Sequence, residues 1–527
     1  NIRMLVKIHG AAIQGIDAIG VDIELTAVHN PSTLITIVGL PDTAVKESVD
    51  RVRSAIRESG YAVPTGITTI NLAPADVKKE GSAYDLPIAI AHLIANEVIS
   101  APPVDRFMIM GELSLDGSVR PIRGALCMAI LARNAGFDAI ILPRDNAAEA
   151  AVVDGIDVIG VENLKQVANL LCGVADIAPT RSDVNALFAT TDNDNALDFS
   201  DVRGQEEVKK ALEIACAGGH NILMIGSPGS GKSMMAKLLP TILPPLTLEE
   251  ALETTRIHSV AGKLPGGSHL LTRRPFRAPH HTISPVALVG GGVNPMPGEI
   301  SLAHNGVLFL DEFPEFNRQV LEVLRQPLED GDICVSRAKY SVTYPARFML
   351  VASMNPCPCG YYNHPTRMCT CPPGAVLRYK NRISGPLLDR IDLHVQVQPV
   401  DFNTLADSAP AESSAEIRAR VIAAREIQRR RFADIEGVHC NAQMNSNLIR
   451  RFCAIDDRGR AILERAIRLY GFSARAYDRI LRVARTIADL EGLDAIDARH
   501  IGRACMMRSF EREDWGVTNL NPSKHQS

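Results

Sequence analysis

Two kinds of apolar pattern alternate along the chain. Short apolar runs bounded by polar residues are typical of buried strands, and such runs cover Asn221 to Ile225 and Gly306 to Leu310. Apolar positions spaced three and four residues apart predict helices, as over Gly459 to Tyr470 and Ala474 to Leu490. The alternation predicts an α/β protein whose C-terminal region is largely helical.

The first 171 residues form a predicted domain of their own. Thr33 to Val38 and Gly66 to Asn71 have the pattern of strands, whereas Thr43 to Ser59 and Leu86 to Asn96 have that of helices. The mixture of the two predicts an N-terminal α+β domain over residues 1–171.

Composition divides the rest of the chain. Residues 172–200 are rich in Asp, Asn, Thr and Ala and have little apolar periodicity, which predicts an interdomain linker. The predicted core follows over residues 201–400 and has a parallel sheet. A polar stretch from Asp401 to Glu416 opens the predicted helical lid and tail, residues 401–527.

A glycine-rich motif predicts a nucleotide ligand. It has the pattern G-x-x-x-x-G-K-[ST] and follows the apolar run that ends at Ile225. Such a loop between a strand and a helix points backbone N–H groups at a polyphosphate. The motif predicts that Lys232 reaches the β- and γ-phosphates of ATP and that Ser233 holds Mg²⁺. The predicted nucleotide ligands are Gly226, Ser227, Pro228, Gly229, Ser230, Gly231, Lys232 and Ser233.

An acid pair supplies the second half of an ATPase site. The apolar run that ends at Leu310 is followed by Asp311 and Glu312. A buried strand that delivers two carboxylates about eighty residues after a P-loop predicts that Asp311 orders Mg²⁺ and that Glu312 polarises the attacking water. An ordinary strand end is the alternative.

Charge and cysteine content narrow the protein class. The chain has 527 residues, of which 46% are apolar and 22% charged, and a net charge of −4, so no basic field announces a nucleic-acid partner. No apolar stretch is long enough for a conventional membrane span, and the N-terminus lacks a signal-peptide core. The eleven cysteines do not suggest a disulfide scaffold in so long a chain, which predicts a cytoplasmic protein.

Four of the cysteines form a cluster in the sequence. Cys357 and Cys359 are followed by a second pair, Cys369 and Cys371, after a short loop that contains His364. Four thiolates suit a tetrahedral Zn²⁺ site, and four protein ligands leave no open position, so the predicted role is structural. Replacement of one cysteine ligand by His364 is left open.

Several longer blocks resemble one family. These blocks are Arg277–Thr282, Pro297–His304, Leu308–Phe313, Ala352–Gly360 and Gly385–Asp392. They resemble the magnesium-chelatase-like AAA+ ATPases, in the ComM/YifB branch, over essentially the whole chain.

The resemblance implies catalytic roles for three further residues. Asn355 matches the sensor-1 position, which helps to orient the attacking water. Arg390 matches the arginine finger that acts on the nucleotide of the next subunit; an intrachain pair with Asp389 or Asp392 is the alternative. Arg475 matches sensor 2, and a solvated helix surface is the alternative there.

Two segments are candidates for DNA contact. Gly331 to Phe348 alternates like a β-hairpin, and Gly290 to Gly298 resembles a flexible insertion. In this AAA+ clade such insertions line the pore of a ring, which implies that Arg337 and Lys339 contact DNA phosphates. An exposed hairpin tip with ordinary charges is the alternative. The basic helix Arg418 to Arg431 is better explained by a solvated or subunit-facing surface.

The segments Lys79 to Ala83 and Gly111 to Gly124 resemble the nucleophile loop of the Lon-protease-like fold and the stretch before its catalytic lysine. This resemblance places Ala83 at the nucleophile position and Met128 at the lysine position, which implies that the Ser-Lys dyad is missing. Ser82 lies one residue out of register. A DNA-binding or assembly role is favoured, with Lys78 and Lys79 as candidate phosphate contacts.

Together, the motifs and the resemblance predict an ATP-hydrolysing AAA+ ring motor. The resemblance implies a hexameric DNA helicase or branch-migration factor that acts in recombination or natural transformation, with ATP, Mg²⁺ and Zn²⁺ as cofactors. A chelatase-type motor that remodels a protein partner is the alternative. A nucleotide-gated scaffold without enzymatic activity is a second alternative, which the intact motif residues disfavour.

Overall fold

The computed structural model describes residues 4–28, 30, 33–63, 65–100, 104–189, 197–265, 269–292, 295–337, 340–400 and 411–508. They form two compact units. The first contains the N-terminal residues up to 191 together with 248–272 and 295–297, and the second contains the remainder. The predicted boundaries at residues 171, 200 and 400 stay predictions.

Eighteen strands are found in the described part of the chain. Their bounds are β1 (Met4–Gln14), β2 (Asp17–Val28), β3 (Leu34–Val38), β4 (Ile67–Ala73), β5 (Phe107–Ile109), β6 (Glu112–Leu113), β7 (Val119–Arg120), β8 (Ala139–Pro143), β9 (Asp157–Val161), β10 (Ile222–Gly226), β11 (Phe276–Arg277), β12 (Gly290–Gly291), β13 (Met296–Pro297), β14 (Val307–Leu310), β15 (Asp332–Arg337), β16 (Tyr340–Pro345), β17 (Met349–Met354) and β18 (Leu393–Val397).

The same residues contain the following α-helices. Their bounds are α1 (Thr43–Lys46), α2 (Ser48–Glu58), α3 (Asp85–Ala95), α4 (Ala125–Asn134), α5 (Arg144–Ala150), α6 (Leu164–Leu171), α7 (Val184–Ala189), α8 (Glu206–Gly218), α9 (Lys232–Ile242), α10 (Leu248–Ala261), α11 (Pro285–Val289), α12 (Glu299–Leu302), α13 (Arg318–Val323), α14 (Pro327–Asp330), α15 (Ala375–Lys380), α16 (Gly385–Leu388), α17 (Ser414–Arg431), α18 (Ser446–Phe452), α19 (Asp457–Tyr470), α20 (Ala474–Leu490) and α21 (Ala498–Met506).

The first unit is built on a seven-stranded mixed sheet. Its order is β3-β4-β2-β1-β5-β8-β9, in which β2 is antiparallel to both β1 and β4 and the remaining pairs are parallel. Helix α3, which is buried along its whole length, packs on β1 and β2. The helix predicted over Thr43 to Ser59 is two helices, α1 and α2, which meet at Glu47.

A segment from the middle of the sequence completes the first unit. Helix α10 lies in the range predicted for the core, yet its Leu252 packs against the apolar core of the N-terminal unit. The Ser259 hydroxyl donates to the buried carboxylate of Glu149 at 2.5 Å. Local sequence patterns do not contain this arrangement, because it depends on contacts between residues far apart in the chain.

The second unit contains a five-stranded parallel sheet. Its order is β11-β14-β17-β10-β18, and every residue of β10, β14 and β17 is buried. Burial on both faces explains why these strands are continuous apolar runs in the sequence. Helices α17 to α21 add the largely helical C-terminal region, and α20 has the predicted bounds, Ala474–Leu490.

The predicted hairpin before β17 is also present. Strands β15 and β16 pair antiparallel in a continuous register from Asp332 opposite Pro345 to Arg337 opposite Tyr340. None of the helices in the described ranges is long and apolar enough to cross a membrane.

A buried carboxylate joins the sheet of the second unit to α20. Asp392 accepts a hydrogen bond from the backbone N–H of Asn221 at 2.9 Å, and Arg479 Nη1 lies 2.7 Å from its other oxygen. Burial alone would raise the pKa of Asp392, but Arg479 and His220 outweigh it and hold this pKa well below its usual range. Since a buried charge is costly unless it is paired, this contact constrains both elements.

We expect Asp392→Asn to lower the free energy of unfolding at pH 7 by about 3–5 kcal/mol, because Arg479 is left buried without its counter-charge. A depressed folded-state pKa stabilises the protein above the unfolded pKa and loses that effect as the pH falls below about 4. The difference in free energy of unfolding between the variant and the wild type should therefore become smaller in acid. Urea unfolding followed by circular dichroism measures it, with exposed Asp434→Asn as the control; equal stability at pH 7 would contradict the prediction.

Candidate functional site

The P-loop lies between β10 and α9, where the motif predicts it. Gly229 and Gly231 have φ values of 78° and 88°, a conformation that favours glycine. Gly226 has no room for a side chain, since a Cβ there would lie 2.4 Å from the carbonyl oxygen of Val397. The backbone therefore has the tight turn that a polyphosphate cradle requires.

Lys232 is held inside this loop. Its Nζ donates to the carbonyl oxygens of Gly226 at 2.8 Å and Ser227 at 2.9 Å, and it lies 3.4 Å from Oδ1 of Asn355. Burial lowers the pKa of Lys232, and the nearby Asp311 opposes this shift. The predicted phosphate ligand and the predicted sensor residue are thus brought together.

The predicted Mg²⁺ ligands also meet. The Ser233 hydroxyl donates to Oδ2 of Asp311 at 2.6 Å, and the hydroxyl of Ser353 on β17 donates to Oδ1 of the same carboxylate. Hydroxyl and carboxylate oxygens are suitable ligands for Mg²⁺, so the pair fits that ion. Ser353 was not predicted, although it lies within one of the blocks that carry the family resemblance.

Glu312 has a partner that was not predicted. Its backbone is left-handed, with φ 54°, and its carboxylate lies 3.2 Å from Nδ1 of His281. The ring of His281 packs on that of His280, with centroids 4.1 Å apart. His281 belongs to the block Arg277–Thr282, so the resemblance marks the residue but gave it no role.

A cavity of about 470 Å³ adjoins the P-loop. It lies between the loop, the segment Asp201–Gln205 and part of the loop that joins the two cysteine pairs, including Tyr361 and Arg367. This volume is within the range of small-molecule sites.

Arg390 lies at the opposite edge of the sheet from the P-loop. Its carbonyl oxygen accepts from Nδ2 of Asn221, the residue before β10, at 3.1 Å, whereas the P-loop follows the end of β10. Five strand residues separate the two edges by about 17 Å, which is longer than an arginine side chain. Arg390 is buried and pairs with Glu329, not with Asp389 or Asp392 as the alternative expected.

The charge of Arg475 acts on the carboxylate of Glu329. It is the second residue of α20, whose N-cap Ser473 lies 3.5 Å from Oδ1 of Asp389. The hydrogen bond from Arg390 lowers the pKa of Glu329, and the charge of Arg475 adds to this shift. Arg390 therefore contacts Glu329, a residue that no sequence motif indicated, whereas Arg475 is exposed and acts on this carboxylate through its charge.

The four clustered cysteines converge on one point. Their sulfur atoms all lie within 4.8 Å of one another, and those of Cys357, Cys359 and Cys369 are 3.3–3.7 Å apart. Four sulfurs at 2.3 Å from Zn²⁺ would be about 3.8 Å apart, so the donor set fits a tetrahedral ion. His364 is not part of this group; its Nδ1 accepts backbone N–H groups of Thr366 and Arg367.

Backbone donors surround the thiols. Burial raises the pKa of Cys359, but the N–H groups of Tyr361 and Thr370 outweigh it and lower this pKa below its usual range. Hydrogen bonds of this kind orient metal ligands and favour the thiolate of Cys359, whereas burial raises the pKa of Cys357 and that of Cys369.

The amino-acid sequence was compared with those of known proteins and protein families. Three family profiles match consecutive regions: "Subunit ChlI of Mg-chelatase" over residues 23–146, "Magnesium chelatase, subunit ChlI" over 198–405 and "Magnesium chelatase, subunit ChlI C-terminal" over 411–508. The chain belongs to the magnesium-chelatase-like AAA+ family, in the ComM/YifB branch.

Individual relatives extend over nearly the whole chain. Competence protein ComM of Haemophilus influenzae is 43% identical over 518 residues, which cover 98% of this chain and 100% of that protein. Protein YifB of Escherichia coli is 45% identical over 511 residues, which cover 96% of this chain and 97% of that protein. The magnesium-chelatase 38 kDa subunit of Rhodobacter capsulatus is 25% identical over 60% of this chain and 87% of its own.

Some candidate residues of this chain are not brought into the site. Lys339 and the side chain of Arg337 lie outside the described residues, so the DNA contacts stay predictions. Of the basic helix, Arg431 is paired with the buried Asp489, whereas Arg429 and Arg430 both contact Glu426.

The N-terminal candidates are partly excluded. Lys79 is wholly buried and donates to the carbonyl oxygen of Pro74, so its prediction as a phosphate contact is wrong for this conformation. Lys78 pairs with Glu80. The Ser82 hydroxyl donates to Glu112 and therefore has a carboxylate partner.

We expect the cysteine cluster to hold about one zinc ion per chain. Cys369→Ser combined with Cys371→Ser should lose the metal and make residues 357–374 sensitive to protease, because metal-binding energy is partly folding energy. Elemental analysis and limited proteolysis measure the two effects. Cys334→Ser, an exposed cysteine outside the cluster, is the control. Absence of zinc from wild-type protein purified without chelators would contradict the prediction.

Proposed function

We propose that this protein is an ATP-hydrolysing ring motor, a hexamer, that moves on DNA as a helicase or branch-migration factor. The observation that carries the proposal is that Lys232, Ser233 and Asp311 meet at the P-loop, while Arg390 lies at the other edge of the sheet. The most direct test is unwinding of forked and four-way DNA by the purified protein with ATP.

The residues at the P-loop divide the chemistry among them. Lys232 would exchange its carbonyl partners for the β- and γ-phosphates of ATP. Ser233 and Asp311 would hold Mg²⁺, which would neutralise charge on those phosphates. Glu312 orients and polarises the attacking water, with its carboxylate positioned by His281. Asn355, beside Lys232, contacts the γ-phosphate or the water.

Charge compensation in the transition state then requires a second subunit. Arg390 cannot span the sheet to its own P-loop. Arg475 is two residues from Ser473, which contacts Asp389, the residue before Arg390. In a ring, the amino edge of one sheet would face the P-loop of the next copy, where Arg390 leaves Glu329 for the γ-phosphate. Interfaces of this head-to-tail kind close into rings.

We expect Lys232→Ala and Arg390→Ala each to abolish ATP hydrolysis, and an equal mixture to recover activity. An ATPase site is complete when one subunit has an intact Lys232 and the neighbour that faces its P-loop has an intact Arg390. In an equal mixture that assembles at random, about a quarter of the interfaces meet this condition. Steady-state ATPase assays of subunits mixed before assembly measure the recovery.

A mixture of Lys232→Ala with the double variant Lys232→Ala and Arg390→Ala is the matched control, because it contains no intact P-loop. Full activity of Arg390→Ala alone, or a mixture no more active than this control, would contradict action across the interface.

The proposed DNA substrate has separate support. The similarity to a protein named competence protein ComM supports a role in natural transformation or recombination. With a net charge of −4, a single subunit should bind DNA poorly. A ring would place several copies of the β15–β16 hairpin, and with it Arg337 and Lys339, around one pore and multiply weak phosphate contacts.

A chelatase-type motor that remodels a protein partner is the second candidate. The similarity to the magnesium-chelatase 38 kDa subunit supports it, although that match leaves a considerable part of this chain uncovered. A cytoplasmic location stays a prediction from cysteine content.

We expect DNA binding to require ATP or a non-hydrolysable analogue, to weaken steeply with salt and to show little sequence preference, because phosphate contacts carry no base information. Arg337→Ala with Lys339→Ala should abolish unwinding yet leave assembly and basal ATPase intact. Strand-displacement assays across a salt series measure this effect.

The matched control is Arg429→Ala with Arg430→Ala, which removes two exposed positive charges from helix α17. Normal unwinding by the hairpin variant would show that the hairpin does not grip DNA, and the chelatase-type candidate would gain support.

A further inference from the structure

The cavity beside the P-loop lies apart from the phosphate chemistry. Ser227 to Gly231 of the P-loop form one wall, whereas Lys232, Asp311 and Asn355 are not among the described residues that line it. A nucleotide whose phosphates lie on the P-loop would therefore place its base or ribose in this cavity. Its volume of about 470 Å³ is sufficient for a nucleoside.

One wall of this cavity comes from the loop between the two cysteine pairs. Tyr361, His364, Thr366 and Arg367 line it. Arg367 donates from Nη1 to the Tyr361 hydroxyl at 2.8 Å and lies over that ring, with Cζ 5.1 Å from the centroid. The ring of His364 packs edge-on against Tyr361, with centroids 5.5 Å apart. The result is a wall of aromatic and cationic side chains, which are the groups on which nucleic-acid bases stack.

This wall has little regular secondary structure to hold it. Between β17 and α15 the chain forms turns. The conformation of this segment therefore depends on the cysteines and on the side-chain contacts just described. Cys359 and Cys369 bracket the loop, and their sulfurs lie 3.5 Å apart. A metal bound to both would pin the two ends of the loop together.

The same turn presses on the P-loop. Gly360 closes a turn by donating its N–H to the carbonyl oxygen of Cys357 at 3.0 Å, and it has φ 85°. A Cβ at this position would lie 2.5 Å from Cδ of Pro228. The cysteine turn and the phosphate loop are therefore in direct contact, and displacement of one must move the other.

We infer that the Tyr361–Arg367 surface contacts the base of the bound nucleotide, and that metal held by the four cysteines sets nucleotide affinity by fixing this wall. The inference rests on the proposed ATP binding and adds a base-contacting surface to that site. It also gives the cluster a second consequence, since loss of the metal weakens ATP binding without any change in the phosphate ligands.

The test compares two ligands on the full-length protein by calorimetry: a non-hydrolysable ATP analogue and inorganic tripolyphosphate, each with Mg²⁺. Tyr361→Ala and Arg367→Ala should each weaken the analogue about tenfold, as expected for loss of a stacking contact, and leave tripolyphosphate affinity unchanged. Cys369→Ser with Cys371→Ser should show the same split. Arg378→Ala, an exposed arginine on the nearby α15, should affect neither ligand.

Each outcome has a defined meaning. Unchanged analogue affinity in Tyr361→Ala and Arg367→Ala overturns the base contact, and equal weakening of both ligands overturns it in favour of a phosphate contact or local misfolding. Unchanged affinity in the metal-free cysteine variant overturns the metal dependence. Failure of the wild type to bind either ligand, or unimpaired binding by Lys232→Ala, overturns the proposed function itself and is thereby distinguished.

Discussion

The buried carboxylate of Asp392 is the contact on which the second unit depends. It accepts from the backbone of Asn221, at the start of the P-loop strand, and pairs with Arg479 of the lid helix α20. Because neither charge can be removed alone without leaving the other buried, the strand and the lid are held in one arrangement. The same two partners also hold Arg390, two residues before Asp392, because its carbonyl oxygen accepts from Nδ2 of Asn221 and from Nη1 of Arg479.

The parallel sheet separates the chemistry into two edges. Loops after the carboxyl ends of parallel strands carry the P-loop, Asp311 and Asn355, which is where α/β folds bind ligands. The amino edge carries Arg390, which pairs with Glu329, and Arg475, whose charge also acts on that carboxylate. A strand of five residues is too long for either arginine to bridge, so the division between edges favours a site shared by two copies.

Sequence patterns anticipated features that depend on local spacing. The strands before Ser227 and Asp311 are continuous apolar runs because both faces are buried, and the P-loop residues follow them at fixed offsets. Contacts between distant residues were not predictable: the pairing of Arg390 with Glu329, that of His281 with Glu312, and the packing of α10 into the first unit. The cysteine cluster was predictable from spacing, but its position beside the P-loop was not.

That position gives the cluster a mechanical relation to the nucleotide site. Proline at position 228 has no N–H to offer a phosphate, and its ring instead forms a rigid surface on which Gly360 closes. Only glycine fits this approach, because a Cβ would collide with the ring. A phosphate loop must keep its N–H groups converged, so a rigid support behind it favours binding. The cysteine turn provides that support when its four sulfurs are held together, which links the order of the insertion to the order of the P-loop.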